Sequence, residues 1–184
     1  MPTSAASRRR WPTMIVLALC AALVPLLVEQ PPADAAQCTA SMTAAASDDA
    51  YVSLASPNQN FGQATVLRAN GSTTQTKRIF LKFAVSGVPA GAPVTAKLRL
   101  QALTTASGAQ EMHPSTNISW TQSTITWNNR PGFSGTVLST VSQVTAGQYA
   151  EFDVTSWVTG NGTFAFATVR PGLTGDVDFA SAEA

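Results

Sequence analysis

The sequence has few charged residues, and the two signs balance. Eleven Lys and Arg and ten Asp and Glu make up only 11% of the 184 residues, with a formal net charge of +1. Outside the first 35 residues, eight residues of each sign remain. A general nucleic-acid surface or anionic-membrane surface needs a net basic field. The composition therefore argues against both partner classes and leaves only local clusters for recognition by charge.

Cysteine is almost absent, and the position of one of the two cysteines removes it from the folded domain. Arg8–Arg10 precede an apolar run over Met14–Val28, and Ala33-Asp34-Ala35 follows as a small-x-small cleavage site. This pattern indicates a secretory signal peptide, and the run is too short for a comfortable membrane span. Cys20 lies in that peptide, so Cys38 has no intrachain disulfide partner in the mature chain. Stability must come from core packing or a metal.

The predicted signal peptide covers residues 1–35 and divides the chain into three parts. The segment Gln37–Ser47 is rich in Ala, Ser and Thr and has no periodicity, which is typical of a disordered linker. We therefore predict a linker over residues 36–47 and one domain over residues 48–184. We expect the mature protein to be secreted and free of the membrane.

Catalytic patterns are also scarce. His113 is the only histidine, and no nucleophile-elbow motif accompanies it. The acidic residues Glu111, Glu151 and Asp153 show no spacing that favours a two-carboxylate glycosidase. The sequence therefore predicts a protein without catalytic activity.

No segment shows a convincing amphipathic helix, and short strand-like segments replace it. About nine or ten runs of alternating or β-branched residues are separated by Gly, Pro and Asn turns. Arg78–Val85 is the longest run with the apolar character of a core strand, and Val94–Leu103 alternates between apolar and polar residues. Sheets with one apolar and one polar face are typical of an antiparallel β-sandwich. The sequence therefore predicts an all-β fold.

Tryptophan is concentrated in the polar stretch Asn117–Gly132, which contains Trp120 and Trp127. Within it, the β-branched and aromatic run Thr124–Trp127 predicts a strand. The stretch either anchors a long loop to the core or presents a ligand platform. Because tryptophan buries a large area, we favour the structural role for Trp127 and Trp157. Trp120 has the most polar flanks and is our candidate for an exposed ligand contact.

Seven segments follow one another in a recognisable order. They are Asp48–Val52, Asn58–Gly62, Val66–Arg68, Arg78–Phe83, Ala96–Leu100, Ser119–Asn129 and Phe152–Val158. In this order they resemble the DNRLRE domain, also called carbohydrate-binding module family 96. The resemblance covers Asp48 to the end of the chain.

The family resemblance implies both a fold and a role. The fold is a β-sandwich of jelly-roll type. Such domains are usually attached to secreted bacterial polysaccharide lyases, hydrolases or large surface proteins. Binding of acidic polysaccharides such as alginate is associated with the family.

The chain departs from the family pattern near its last residues. Ala182 stands where the family usually has an Arg before Glu183, and the family's final apolar strand has no counterpart. We therefore expect a jelly-roll-type sandwich that lacks its final strand.

A basic sheet face is the predicted ligand site. If Arg78–Val85 and Val94–Leu103 pair as a hairpin, Lys82, Lys97 and Arg99 converge around Phe80, and Arg68 can join them. Guanidinium groups bind carboxylates with two hydrogen bonds, and an aromatic ring can stack on a sugar. The alternative is a solvated sheet face whose long side chains cover apolar neighbours.

Acidic residues cluster near both ends of the predicted domain. Asp48 and Asp49 lie at its start, and Asp176 and Asp178 lie near its end. Oxygen ligands of this kind suit calcium if the two ends come together. Turn capping and solubility are the alternative roles. A structural calcium ion is thus the one cofactor that the sequence suggests.

The function predicted from these patterns is that of a secreted, non-catalytic carbohydrate-binding module. Its ligand would be an acidic, uronate-containing polysaccharide of the alginate type, held on the basic face. The alternative is a structural or adhesive surface module that binds protein or cell wall. A flat face of mixed charge would favour this second hypothesis.

Overall fold

The computed structural model describes residues 41–184 of the chain. Within this range no helix is long and apolar enough to cross a membrane. The predicted signal peptide and residues 36–40 of the predicted linker lie outside the described residues. The strands are β1 (Ala46–Ser53), β2 (Val66–Ala69), β3 (Lys77–Val85), β4 (Lys97–Gln101), β5 (Ala106–Ser115), β6 (Ser139–Val144), β7 (Tyr149–Asp153), β8 (Gly162–Val169) and β9 (Val177–Ala180).

The strands form two antiparallel layers. The first layer is a five-stranded sheet with the order β1-β3-β8-β5-β6. The second consists of the pairs β2–β9 and β4–β7. An isolated bridge between Ala102 and Phe179 connects these pairs, and Leu103 N donates a hydrogen bond to the Asp178 carbonyl at 2.8 Å. The predicted all-β antiparallel sandwich is confirmed, while its jelly-roll character stays a prediction.

The main core lies between the two layers and is built from the inward side chains of both. Strands β4 and β7 alternate strictly between exposed and buried residues, so each contributes one apolar face. The first layer contributes Tyr51, Ile79, Leu81, Met112 and Phe166, and the second contributes Leu67, Leu98, Leu100, Phe152 and Phe179.

The predicted hairpin between Arg78–Val85 and Val94–Leu103 is wrong. Strand β3 pairs with β1 and β8, whereas β4 pairs with β7 in the other layer. The burial pattern supplies the reason. Ile79, Phe80 and Leu81 are all buried, so β3 needs cover on both faces and a central position in its sheet. Strand β4 has one apolar face and fits the half-solvated layer.

A long loop over residues 116–138, here called the tryptophan loop, covers the outer face of the five-stranded sheet. It encloses a second core of six buried residues. These are Ala50, Val52, Phe80, Trp120, Ile125 and Ala167.

The strand predicted over Thr124–Trp127 does not form, because this segment turns on itself. Thr121 O accepts hydrogen bonds from Thr124 N at 3.2 Å and Ile125 N at 3.1 Å. Asn129 then closes the turn, with its Oδ1 2.6 Å from Thr126 N. The β-branched residues of the segment therefore anchor a loop instead of joining a sheet.

The first strand begins two residues before the predicted start of the domain. Strand β1 begins at Ala46, which pairs with Phe83, and Asp48 pairs with Lys82. Ser47 Oγ donates a hydrogen bond to the Lys82 carbonyl at 3.1 Å. Backbone pairing with β3 thus orders residues whose Ala/Ser composition predicted a linker.

Candidate glycan-binding surfaces

The outer surface of the β4–β7 pair, here called the β4–β7 face, presents a row of polar side chains. The antiparallel register sets Lys97 opposite Asp153, Arg99 opposite Glu151, and Gln101 opposite Tyr149. All six residues are exposed, and their neighbours along each strand are buried. The alternation predicted for Val94–Leu103 is confirmed and places Lys97 and Arg99 together.

One carboxylate lies between the two cations of this face. Glu151 Oε2 is 3.2 Å from Lys97 Nζ, and Glu151 Oε1 is 3.0 Å from Arg99 Nε. Asp153 Oδ1 accepts a hydrogen bond from Thr155 N at 2.9 Å, which lowers the pKa of the Asp153 carboxyl. The face is therefore one of mixed charge rather than the basic face expected from the sequence.

An exposed aromatic ring completes the β4–β7 face. The Arg99 guanidinium carbon lies 4.2 Å from the centroid of the Tyr149 ring, and 53% of Tyr149 is accessible to solvent. An aromatic ring with a polar hydroxyl can pack on a sugar and form a hydrogen bond with it. Tyr149 was missed at the sequence level, although the alternation over Tyr149–Asp153 would have placed it outward.

Arg68 lies in the second layer on the neighbouring β2–β9 pair. Its Nε is 3.6 Å from Asp178 Oδ1, and the two residues are partners in the strand register. Burial raises the pKa of the Asp178 carboxyl, and the positive charge of Arg68 acts against this shift. Arg68 is therefore paired with the Asp178 carboxylate, and it lies in a different layer from Lys82.

The structure does not bring Lys82, Phe80 and Trp120 to the predicted ligand face. Lys82 Nζ is 2.8 Å from Asp48 Oδ2 and lies 5.1 Å from the centroid of the Trp120 ring. Phe80 is fully buried, and its ring centroid is 6.2 Å from that of Trp120. Only 8% of Trp120 is exposed. The predicted convergence with Lys97 and Arg99 is wrong, because these three residues attach the tryptophan loop to the first sheet.

The four aspartates suggested for calcium are each engaged by protein groups. Asp48 pairs with Lys82, and Asp178 pairs with Arg68. Asp49 Oδ2 accepts a hydrogen bond from the backbone of Ala182 at 2.8 Å.

Asp176 is bound by Lys77 Nζ at 2.5 Å and by Asn70 Nδ2 at 2.7 Å. Across residues 41–184, no group of three His, Cys, Asp or Glu side chains is arranged to hold a metal. The calcium site stays a prediction.

An open groove of about 780 Å³ lies at the margin of the tryptophan loop. Its lining combines hydroxyl and amide groups with two aromatic rings and has no charged side chain. Among the lining residues are Thr116, Asn117, Phe133, Ser134 and Trp157. The groove is therefore a neutral alternative to the β4–β7 face.

His113 is a structural residue beneath the tryptophan loop. It is buried, its Nδ1 lies 3.0 Å from the Ser134 carbonyl oxygen, and its Nε2 lies 3.2 Å from Glu111 Oε2. Its ring centroid is 5.3 Å from that of Phe133. These contacts fix the ring between β5 and the loop.

Sequence comparisons with known proteins identify a related protein and the family of this chain. A gellan lyase from Bacillus sp is 32% identical over 117 residues, which are 60% of this chain and 5% of that protein. The chain thus corresponds to a small part of the lyase. The model of carbohydrate-binding module family 96, a family of binding modules rather than catalytic domains, matches residues 40–184. The chain therefore belongs to carbohydrate-binding module family 96.

Proposed function

We propose that the protein is an extracellular polysaccharide-binding module whose ligand lies across the β4–β7 face. The observation that carries this proposal is the stacked pair of Arg99 and Tyr149. The pair combines an exposed ring with a guanidinium group 4.2 Å from its centroid. Sugars pack on aromatic rings, and the adjacent charged groups can hydrogen-bond their hydroxyls. The predicted signal peptide is consistent with an extracellular ligand.

An acidic polysaccharide would have to share the cations of this face with Glu151. Arg99 binds Glu151 through Nε, which leaves terminal N–H groups that can donate hydrogen bonds to a sugar carboxylate. Lys97 and Arg99 are more than half exposed, so salt screens their interactions. We therefore expect binding of uronate polymers to be weak and to fall steeply with ionic strength. Because the related protein is a gellan lyase, gellan is a second polysaccharide to test beside alginate.

Affinity electrophoresis of the purified chain through gels containing alginate, gellan or neutral dextran tests this proposal. We expect alginate or gellan to retard the wild type, and Tyr149→Ala to abolish the retardation. Tyr149→Phe keeps the ring and should retain most of the retardation. In the double variant Lys97→Ala with Arg99→Ala, the retardation should no longer depend on ionic strength.

The neutral groove supplies the matched control surface. Asn117→Ala changes an exposed groove residue and should leave the retardation unchanged. If Asn117→Ala abolishes retardation while Tyr149→Ala does not, the β4–β7 face is the wrong site. If no polysaccharide retards the wild type, polysaccharide binding itself is wrong for the probes used.

A structural or adhesive module is the second candidate function, and the mixed charge of the β4–β7 face favours it. Glu151 holds two cations on an open strand pair, as expected for a surface that meets another protein or a cell wall. Co-sedimentation with purified bacterial cell walls, without retardation in any polysaccharide gel, would support this function. Release of the protein from the walls by free polysaccharide would favour the first.

Calcium binding can be tested without a glycan. Coordination by Asp48, Asp176 or Asp178 would compete with the ion pairs that these residues form. A rise in the thermal unfolding midpoint with calcium, reversed by a chelator, would support the site. An unchanged midpoint would assign the aspartates to ion pairing alone.

A further inference from the structure

The β4–β7 face is one half of a larger surface, because the β2–β9 pair lies beside β4. The isolated antiparallel bridge between Ala102 and Phe179 joins β4 to β9. In an antiparallel register this bridge sets Gln101 opposite Ala180. The second layer therefore presents one continuous outer face, on which the strands follow the order β2-β9-β4-β7.

The strand registers connect one row of outward residues that crosses this face. Leu67 and Phe179, the next residues on β2 and β9, belong to the main core, so the row points away from the core. None of its members carries a charge, and we call it the neutral row. Its four residues, one from each strand, are Val66, Ala180, Gln101 and Tyr149.

Charged rows lie on both sides of the neutral row. The row on one side contains Arg99 and Glu151. The row on the other side contains Arg68 and its register partner Asp178, whose carbonyl accepts a hydrogen bond from Leu103 N at 2.8 Å. Neighbouring rows are two residues apart along each strand, which is about 7 Å. The neutral row is therefore a strip between two charged margins.

The carboxylates of the β4–β7 face favour one direction for an acidic chain. A chain that follows β4 and β7 would pass directly over Glu151 and Asp153, and like charges repel. A chain that follows the neutral row contacts no carboxylate within that row, while Arg99 lies beside its path. The electrostatics therefore favour a path that crosses the strands.

The β4–β7 end of the neutral row offers apolar contacts. Residues 41–184 contain five exposed large apolar or aromatic residues, and two of them, Leu103 and Tyr149, are neighbours of Gln101. Tyr149 faces Gln101 in the register, and Leu103 follows it by two residues. Sugar rings can pack on Leu103 and Tyr149, and the Gln101 amide can form hydrogen bonds with sugar hydroxyls.

The β2–β9 end of the neutral row offers a second cation, Arg68. Its Nε is 3.6 Å from Asp178 Oδ1, which is longer than a hydrogen bond, and neither atom has a hydrogen-bond partner among residues 41–184. The Arg68 side chain is 41% exposed. Its terminal N–H groups can donate hydrogen bonds to a sugar carboxylate in the same way as those of Arg99.

We propose that an acidic polysaccharide crosses all four strands of the second layer along the neutral row, from Tyr149 to Arg68. This inference rests on the proposed function, because Tyr149 is the first contact in both. It adds a direction for the chain, a second contact for an acid group and a minimum ligand length. Three steps between strands of about 4.8 Å each make that length about 14 Å.

Nuclear magnetic resonance of the ¹³C-labelled full chain tests this path in the wild type. The methyl signals of Val66 and Ala180 report on the β2–β9 end of the neutral row. We expect an alginate hexamer to shift both in a saturable manner. An alginate dimer, which is too short to span four strands, should shift the Tyr149 ring signals but not those of Val66. The exposed methyl groups of Val137, on the tryptophan loop, are the control and should not shift.

Variants test the middle and the far end of the path. Gln101→Ala should weaken hexamer binding about fivefold, as expected for the loss of a hydrogen bond. Its matched control is Gln143→Ala, which changes an exposed glutamine on β6 of the other layer and should leave binding unchanged. Arg68→Gln should weaken hexamer binding about fivefold and leave dimer binding unchanged, because only the hexamer reaches this partly exposed cation.

The possible results distinguish this inference from the proposed function. If the hexamer shifts the Tyr149 signals but not those of Val66 and Ala180, the crossing path is wrong and the proposed function stands. If Arg68→Gln weakens dimer and hexamer binding equally, Arg68 is not the far contact. If the hexamer shifts none of these signals, the inference is wrong, and gel retardation decides the proposed function separately.

Discussion

Lys82 Nζ donates a hydrogen bond to the carbonyl oxygen of Trp120 at 2.6 Å and thereby joins β3 to the tryptophan loop. The same ammonium group forms an ion pair with Asp48 at 2.8 Å. The side chains of Lys82 and Asp48 are only 11% and 16% exposed, so this pair is largely shielded from water. Lys82 and Trp120, which the sequence suggested for ligand binding, therefore hold the tryptophan loop on the first sheet.

Lys82→Met should destabilise the protein strongly. Removal of one partner from a largely buried ion pair costs about 3 kcal/mol, because the other charge stays buried. Urea denaturation followed by tryptophan fluorescence measures the free energy of unfolding. The matched control is Lys97→Met, whose side chain is 58% exposed and should contribute at most about 1 kcal/mol. Equal losses in the two variants would contradict the anchoring role of Lys82.

Variants of Trp120 and Tyr149 should show that the first residue is needed for stability and the second for ligand binding. Trp120 packs against Phe80 in the second core, so Trp120→Ala should reduce the free energy of unfolding by about 3–5 kcal/mol. Tyr149 is exposed, and Tyr149→Ala should change the free energy of unfolding by less than about 1 kcal/mol. Denaturant unfolding checks both values. A stable Trp120→Ala variant that has lost polysaccharide retardation would return Trp120 to the ligand site.

Gly62 should be essential for docking the tryptophan loop. A Cβ at this position would lie 1.9 Å from the carbonyl oxygen of Gln122, which is backbone and has little room to move. Asn60 Nδ2 donates to the same carbonyl at 2.7 Å and to the Ile125 carbonyl at 2.6 Å.

Gly62→Ala should therefore lower the free energy of unfolding by about 3 kcal/mol. Gly135 is the control, because its Cβ would meet nothing within 4 Å. Thermal unfolding of both variants tests the difference. A Gly62→Ala variant as stable as Gly135→Ala would mean that the loop is not held closely at this point.

The buried carboxyl of Asp49 should make stability depend on pH. Burial raises its pKa from 3.8 to about 6, and the nearby Glu183 carboxylate acts in the same direction. For Glu183 itself, burial opposes ionisation, but hydrogen bonds from Ser181 and Gln122 lower its pKa. Because the folded state binds the Asp49 proton more tightly than the unfolded state, this contribution is complete below pH 3.8. It disappears as the pH rises through about 6.

Asp49→Asn tests this dependence. The amide keeps an acceptor for the Ala182 backbone donor, which lies 2.8 Å from Asp49 Oδ2, and it does not titrate. We expect the wild type to lose unfolding free energy between pH 4 and pH 7 relative to the variant. Parallel pH profiles for the two proteins would show that another group causes the change.

Local patterns allowed the strands and the family to be predicted, but not the strand partners. The alternation over Val94–Leu103 correctly placed Lys97 and Arg99 outward, since a strand with one buried face shows its orientation in the sequence. Strand β3 has buried residues on both faces, and no local signal shows which neighbours cover them. For this reason the predicted hairpin between Arg78–Val85 and Val94–Leu103 is wrong.

Some residues of the candidate sites were likewise predictable from local patterns, and others were not. Tyr149 was predictable, because it continues the alternation of Ala150 and Phe152 by one residue. The anchoring role of Lys82 was not, because Asp48 and Trp120 come from distant segments, and charge pairing is a property of the folded chain. The composition reveals equal numbers of each sign, but it does not reveal which cations lack a partner.

The sequence by itself determined the all-β class and the outward row on β4, because each depends on residues close together in the chain, and the order of its motifs determined membership of the family. Only the tertiary structure decided that Lys82 and Trp120 anchor a loop and that Glu151 neutralises the predicted basic face. These features depend on which strands pair and which face a loop covers. Lys82 and Trp120 are 38 residues apart and Lys97 and Glu151 are 54 residues apart, beyond the range of any local pattern.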